Sequence, residues 1–301
     1  MITSKTLSML KFKISLLISL FSIGLAAQNT GLLWKIEKKG HQSSYLFGTI
    51  HIQTKSVFSF DSTVYLSIKK CDKFKAELNF DQAIHMTLAR DMPMPDGLTL
   101  DSLYTNKQQL DTVVSFLKGT IGPQAEMMKS IKPMYIGMFL AQKSLPKDMP
   151  EALDKYLFEY AKSENKIVGG LETVQEQIDA FNSVSLKEQA EDLLEMAREY
   201  DNTELKQEMQ KLTKAYIEQD LKLLDELINE DTAEDDTFTQ KVLIDRNYTM
   251  QKRISEEILK TKTFFAVGAG HLGGKEGLIN LLRKRGFTVT HIPFSFQVNK
   301  N

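Results

Sequence analysis

The chain has 301 residues, with 38 Lys+Arg against 39 Asp+Glu, one Cys and one Trp. Apolar residues make up 42% and charged residues 26%, a globular composition that excludes a disordered chain. A net charge of −1 with no basic block argues against a nucleic-acid groove, and one cysteine excludes a disulfide framework or a zinc site built on several thiolates.

Residues 1–27 read as a secretory signal peptide. Lys5, Lys11 and Lys13 precede the apolar run 14–27, which ends in small residues and is short for a membrane span. An uncleaved anchor is the competing reading. Without its three lysines, the remaining chain carries a net charge of −4. The expectation is an exported protein, periplasmic or extracellular, touching a membrane only through that segment if it is kept.

In chain order, residues 32–36 and 44–48 read as strands joined by a turn at Lys39-Gly40. Residues 61–70 form a helix with Asp61 as N-cap, and 73–78 alternate as a third strand. After a proline-rich turn at 91–97, residues 98–162 are mostly helical, and 166–170 form a short strand. Thr173/Glu176 and Ser185/Glu188 are capping boxes opening helices. Leu205, Met209, Leu212 and Tyr216 place a core stripe on a helical stretch running to about 229. The acids between 230 and 236 read as a solvated connection. Residues 237–260 form a helix, followed by strand 263–267, a glycine-rich turn, helix 275–285 and strand 287–293. The expected fold is α/β (α+β): one domain over 28–301, its central mixed sheet built from the N- and C-terminal parts, with a helical insertion at about 98–230.

Two turns echo each other. Gly48-Thr49-Ile50-His51 and Gly268-Ala269-Gly270-His271 each end an apolar strand in Gly and place His three residues on. Glycine permits close backbone approach, so Gly48, Gly268 and Gly270 are candidate substrate contacts. A histidine beyond the C-terminal end of a buried strand lies where open α/β sheets form ligand crevices. The two can meet only if their strands are close in one sheet. Glu77, near the end of its strand, would complete a His-His-carboxylate set for a divalent metal (Mn, Co or Zn) at His51, Glu77 and His271.

Asn247 falls on the apolar stripe of its helix, as a structural hydrogen-bonding device or a site residue; Arg246 beside it is a surface ion-pair former or an oxyanion binder. Glu172 favours the following helix N-terminus or serves the site. His41, His85 and His291 lack a comparable setting. Gly268-x-Gly270-x-x-Gly273 matches a dinucleotide fingerprint, but no acid follows at the ribose-binding distance and only 28 residues remain after Gly273.

These motifs resemble the TraB/PrgY/GumN family, which includes the Tiki metalloproteases. The resemblance runs from Leu33-Trp34-Lys35-Ile36 and Gly48–His51 through Ala76-Glu77-Leu78, Gly170–Thr173 with Gln177, and Arg246-Asn247 with Met250. It is clearest over residues 265–274 and ends with Arg285-Gly286-Phe287. It implies an α/β domain distantly similar to erythromycin esterases and the ChaN group. It also implies metal-dependent peptide cleavage by His51, His271 and Glu77, with Arg246 nearby. The expectation is an exported divalent-metal-dependent hydrolase of a peptide or other small substrate, with Arg246 or Asn247 on the oxyanion and Glu172 as base. The alternatives are a non-catalytic binding protein for peptide, haem or metal, and a metal-free esterase-like hydrolase.

Overall fold

The computed structural model describes residues 30–82, 84–199, 202–229 and 237–297. The signal segment and the acidic connection 230–236 lie outside the described residues.

Six strands form one mixed sheet: β1 (Leu33–Glu37), β2 (Ser44–Thr49), β3 (Lys73–Ala76), β4 (Ile167–Gly170), β5 (Thr263–Gly268) and β6 (Thr288–His291), in the order β4-β3-β5-β2-β1-β6. β4, β3, β5 and β2 run parallel, whereas β1 is antiparallel to both β2 and β6. The chain ends do supply most of the sheet, although edge strand β4 comes from the middle section. β2 is buried throughout and β5 nearly so, because helices cover both faces of a parallel sheet. Tyr45, Phe264 and Phe74 are register partners on β2, β5 and β3, and their rings stack across the sheet, with centroids 6.5 Å and 5.6 Å apart.

The longer helices are α1 (Ser62–Lys69), α2 (Ile84–Asp91), α3 (Lys107–Ile121), α4 (Pro133–Lys143), α5 (Leu153–Ser163), α6 (Val174–Asn182), α7 (Leu186–Glu199), α8 (Asn202–Ile217), α9 (Leu221–Asn229), α10 (Asp245–Ile258) and α11 (Leu278–Lys284). Asp61 caps α1 through Thr63 N–H, and both capping boxes form, at α6 and α7. The helical middle has its own apolar cluster around Val113, Leu117, Ile136, Leu140 and Leu193, apart from the core over the sheet. Tyr216 of the expected stripe is fully buried in the sheet core, where its hydroxyl donates to the Gly48 carbonyl. No helix among the described residues is long and apolar enough to cross a membrane.

Three departures from the expected elements have a local reason. β3 stops at Ala76 because the next carbonyl, of Glu77, turns to accept the N–H groups of Leu171 and Glu172. The last helix begins at Leu278, since Gly274 adopts a positive φ of 74° and breaks the winding before it. The helix before β5 opens with a π turn, Thr239–Ile244, and becomes regular at Asp245.

Candidate active site at the strand ends

The four parallel strands end on the same side of the sheet. Glu77 follows β3, Glu172 lies two residues past β4, His271 three past β5 and His51 two past β2. Chain order scatters these side chains across more than 200 residues, and the topology gathers them at the carboxyl ends, where open α/β sheets place ligands. Gly170 makes this possible at β4: a Cβ there would fall 2.7 Å from Asn79 N and 2.8 Å from the Glu172 carbonyl oxygen.

Arg246 ties the carboxylates together. Its Nη2 donates to Glu77 Oε2 (2.5 Å) and Glu172 Oε2 (2.7 Å), and its Nε to both Glu172 oxygens. Nη1 donates to the carbonyl of Val242, inside the π turn. A π turn releases carbonyls from the ordinary helical ladder, and the guanidinium takes one of them up. Gln177 Nε2 bridges Glu77 and Glu172 at 3.3 Å each. Glu77 Oε1 also accepts the Gly268 N–H at 2.6 Å.

His271 sits beside this network with a 7% exposed side chain, its Nε2 3.7 Å from Glu77 Oε1. Its Nδ1 contacts Asn247 Oδ1 at 2.7 Å, while Asn247 Nδ2 donates to the Glu276 carbonyl. A carbonyl only accepts, so the amide orientation is set and Nδ1 of His271 carries the proton. Nε2 keeps its lone pair. Asn247 is therefore a hydrogen-bonding device that serves a site residue, joining the two readings left open by its stripe position.

His51 is placed differently. Its side chain is 63% exposed, and Nδ1 lies 3.0 Å and 2.9 Å from the two oxygens of Asp154, in the first turn of α5. The Glu77 charge adds a smaller pull in the same direction as Asp154. Asp154 has no motif around it, and no sequence signal marks it beyond being an acid near the start of a helix.

The electrostatics separate the groups. Burial works to raise the Glu77 carboxyl, but the charge that His271 takes up in acid, the Arg246 guanidinium and the Gly268 N–H override it and hold the value at about 2. Burial lowers His271 to about 4, against the pull of Glu77, so its imidazole is neutral at pH 7. Burial raises Glu172, with Arg246 opposing. Burial also acts against the Arg246 charge, but its two carboxylates outweigh that and raise it. For His51 the Asp154 hydrogen bond outweighs burial and raises the value.

Several expected roles do not match this geometry. Arg246 gives Nε and Nη2 to the two carboxylates and one Nη1 N–H to Val242, and Asn247 gives one Nδ2 N–H to Glu276, so both are engaged first in holding the network. Glu172, with a 1% exposed side chain held by Arg246 and Gln177, has no open path as a base. Gly48 gives its N–H to Leu32 and its carbonyl to Tyr216, and Gly268 gives its N–H to Glu77, so their backbones hold the turns rather than a substrate. Gly270 lies half-buried in a short 3-10 turn with His271. Open grooves of about 540 and 590 Å³ lie in the helical section, and neither is lined by these residues.

Among the described residues, no three His, Cys, Asp or Glu side chains converge closely enough to hold a metal ion. The donor chemistry nonetheless suits one. Two carboxylates share one guanidinium, leaving a buried excess of negative charge, and His271 offers a neutral imidazole whose Nδ1 is fixed by an outer partner.

The TraB/PrgY/gumN family matches residues 32–291. The chain belongs to this family. Among curated proteins it is similar to Metalloprotease TIKI1 of Xenopus tropicalis, 22% identical over 91% of this chain and 64% of that protein. Metalloprotease TIKI1 of Danio rerio is 24% identical (87% and 63% covered), and Metalloprotease TIKI2 of Xenopus tropicalis 23% (87% and 60%). The chain thus spans about three fifths of the length of these relatives. No solved structure matches it.

Proposed function

We propose that this TraB-family protein is an exported, divalent-metal-dependent hydrolase that cleaves peptide bonds. The observation that carries the reading is the pairing of neutral, Nδ1-anchored His271 with ionised Glu77 at the strand ends, with excess negative charge beside them. The relatives' name, metalloprotease, supports the reaction class, and the lysine-led apolar segment at residues 1–27 supports export.

His51, His271 and Glu77 would hold the ion. A bound divalent ion acidifies a water and polarises a carbonyl oxygen. Asn247 orients the His271 ring and keeps its proton on Nδ1. Arg246 holds Glu77 against the site and compensates Glu172, so the carboxylates stay together in a buried place. The Gly268 N–H fixes the second Glu77 oxygen.

The test is metal content together with turnover. Purified protein is expected to bind one divalent ion and to cut members of a peptide library, and His271→Ala should abolish both. A His51→Ala protein with full metal content and full peptidase activity would overturn the assignment. Metal binding without turnover would point to sequestration. Turnover that survives exhaustive chelation would point to a metal-free hydrolase.

A further inference from the structure

We infer that Asp154 is a positioning residue of the site: it holds the His51 proton on Nδ1 and so presents the Nε2 lone pair to a ligand. The inference rests on the metal-site reading for its ligand, but its core, the state of the His51 ring, does not need a metal.

Three observations support it. An ionised carboxylate only accepts hydrogen bonds, and Nδ1 of His51 faces both Asp154 oxygens, at 3.0 Å and 2.9 Å. The contact therefore selects the Nδ1–H tautomer, the one that the Asn247 amide selects in His271. The pair is also framed by backbone. Leu153 N–H donates to the Ile52 carbonyl, Met149 N–H to the Gln53 carbonyl, and Gln53 Nε2 to the Pro150 carbonyl. These bonds join the residues next to His51 to those next to Asp154, so the two side chains meet between segments already tied together. An ordinary surface ion pair has no such frame and stays adaptable. Finally, Asp154 is not spent on its own helix. Ala152 at the N-cap of α5 has no side-chain cap, and the Asp154 oxygens turn to the imidazole instead.

The bland reading is a solvent-facing ion pair. It predicts a ring free to exchange tautomers and indifferent to Asp154. Carboxylates that orient ligating histidines behave otherwise, and their loss weakens metal binding about 10–100-fold.

The experiment uses the full chain, first metal-free. Long-range ¹H–¹⁵N spectra at about pH 9, above the ordinary histidine range, report which His51 nitrogen is protonated. Wild type should show Nδ1–H with a bare Nε2. Asp154→Ala should move His51 toward the Nε2–H form and leave His271 unchanged, whereas Asp154→Asn, which retains an acceptor oxygen, should keep Nδ1–H. Zn²⁺ titration should then show Asp154→Ala weakened about 10–100-fold and Asp154→Asn less so. The His271 signal serves as the internal check that each variant is folded. An unchanged His51 tautomer in Asp154→Ala overturns the inference, as does Zn²⁺ affinity within twofold of wild type. If wild type binds no divalent ion, the proposed function fails while the tautomer spectra still decide the role of Asp154.

Discussion

His51 and His271 each follow a buried parallel strand of one sheet at the same Gly-x-x-His spacing, yet one side chain is 63% exposed and the other 7%. Asp154 holds the first ring and Asn247 the second, and both partners accept at Nδ1. The difference lies in the surroundings. The His271 turn adjoins the buried network of Arg246, Glu77 and Glu172, in which every missing partner strands a charge. The His51 side chain is exposed, so water replaces whatever is lost. One motif thus yields an anchored half and an accessible half.

The largest expected effect lies on the anchored side. Arg246→Ala leaves Glu77 and Glu172 buried together without their cation, and breaking a buried pair costs about 3–5 kcal/mol. Urea unfolding at pH 7 measures it. The comparison breaks if Arg246→Ala destabilises no more than Asp154→Ala.

The next effect is a pH dependence. Folding depresses His271 from 6.5 to about 4, so the folded protein resists a proton that the unfolded chain accepts. The stabilisation is whole above about pH 6.5 and drains as the pH falls toward 4, by an amount on the order of 2–4 kcal/mol. Unfolding free energies of metal-free wild type across that window should fall, and those of His271→Ala should fall less. A flat wild-type profile would show that the His271 turn is as open as its counterpart.

Asn247→Ala comes third. It strips an acceptor from the His271 N–H and a donor from the Glu276 carbonyl, both on the anchored side, for about 1–3 kcal/mol. The same variant should release the His271 tautomer in ¹⁵N spectra without changing that of His51, which localises the loss to one turn.

Much of this arrangement was legible beforehand because it depends on local chemistry. A glycine ending an apolar run, a histidine three residues later, an asparagine on an apolar helical stripe and two capping boxes all carry meaning within a few residues. The sheet followed from those strands, including the approach of β2 and β5 that the paired histidines require. What escaped was set by distance. Asp154 is 103 residues from His51, and only the packing of α5 against the residues after β2 brings them together. The role of Arg246 depended on two carboxylates, one of them 169 residues away, and on a π turn with no sequence signature. Its bonds to both carboxylates give it a place in the network that no local pattern announces.

The smallest effect should be on the open side, and its sign opposes that of His271. The Asp154 hydrogen bond raises His51 in the folded state, so the pair stabilises fully below the unfolded value near 6.5 and loses that contribution as the pH rises through the folded value. Because the ring is more than half exposed, solvent screens the interaction to about 1 kcal/mol or less. Asp154→Ala should therefore cost about that much near pH 5.5 and less near pH 9, where only the hydrogen bond from neutral His51 is left to lose, with the histidine titrating lower by NMR. A loss of several kcal/mol, or one that grows with pH, would mean that His51 is buried in solution as His271 is. The two turns would then be equivalent, and the contrast between an anchored and an exposed histidine would fall.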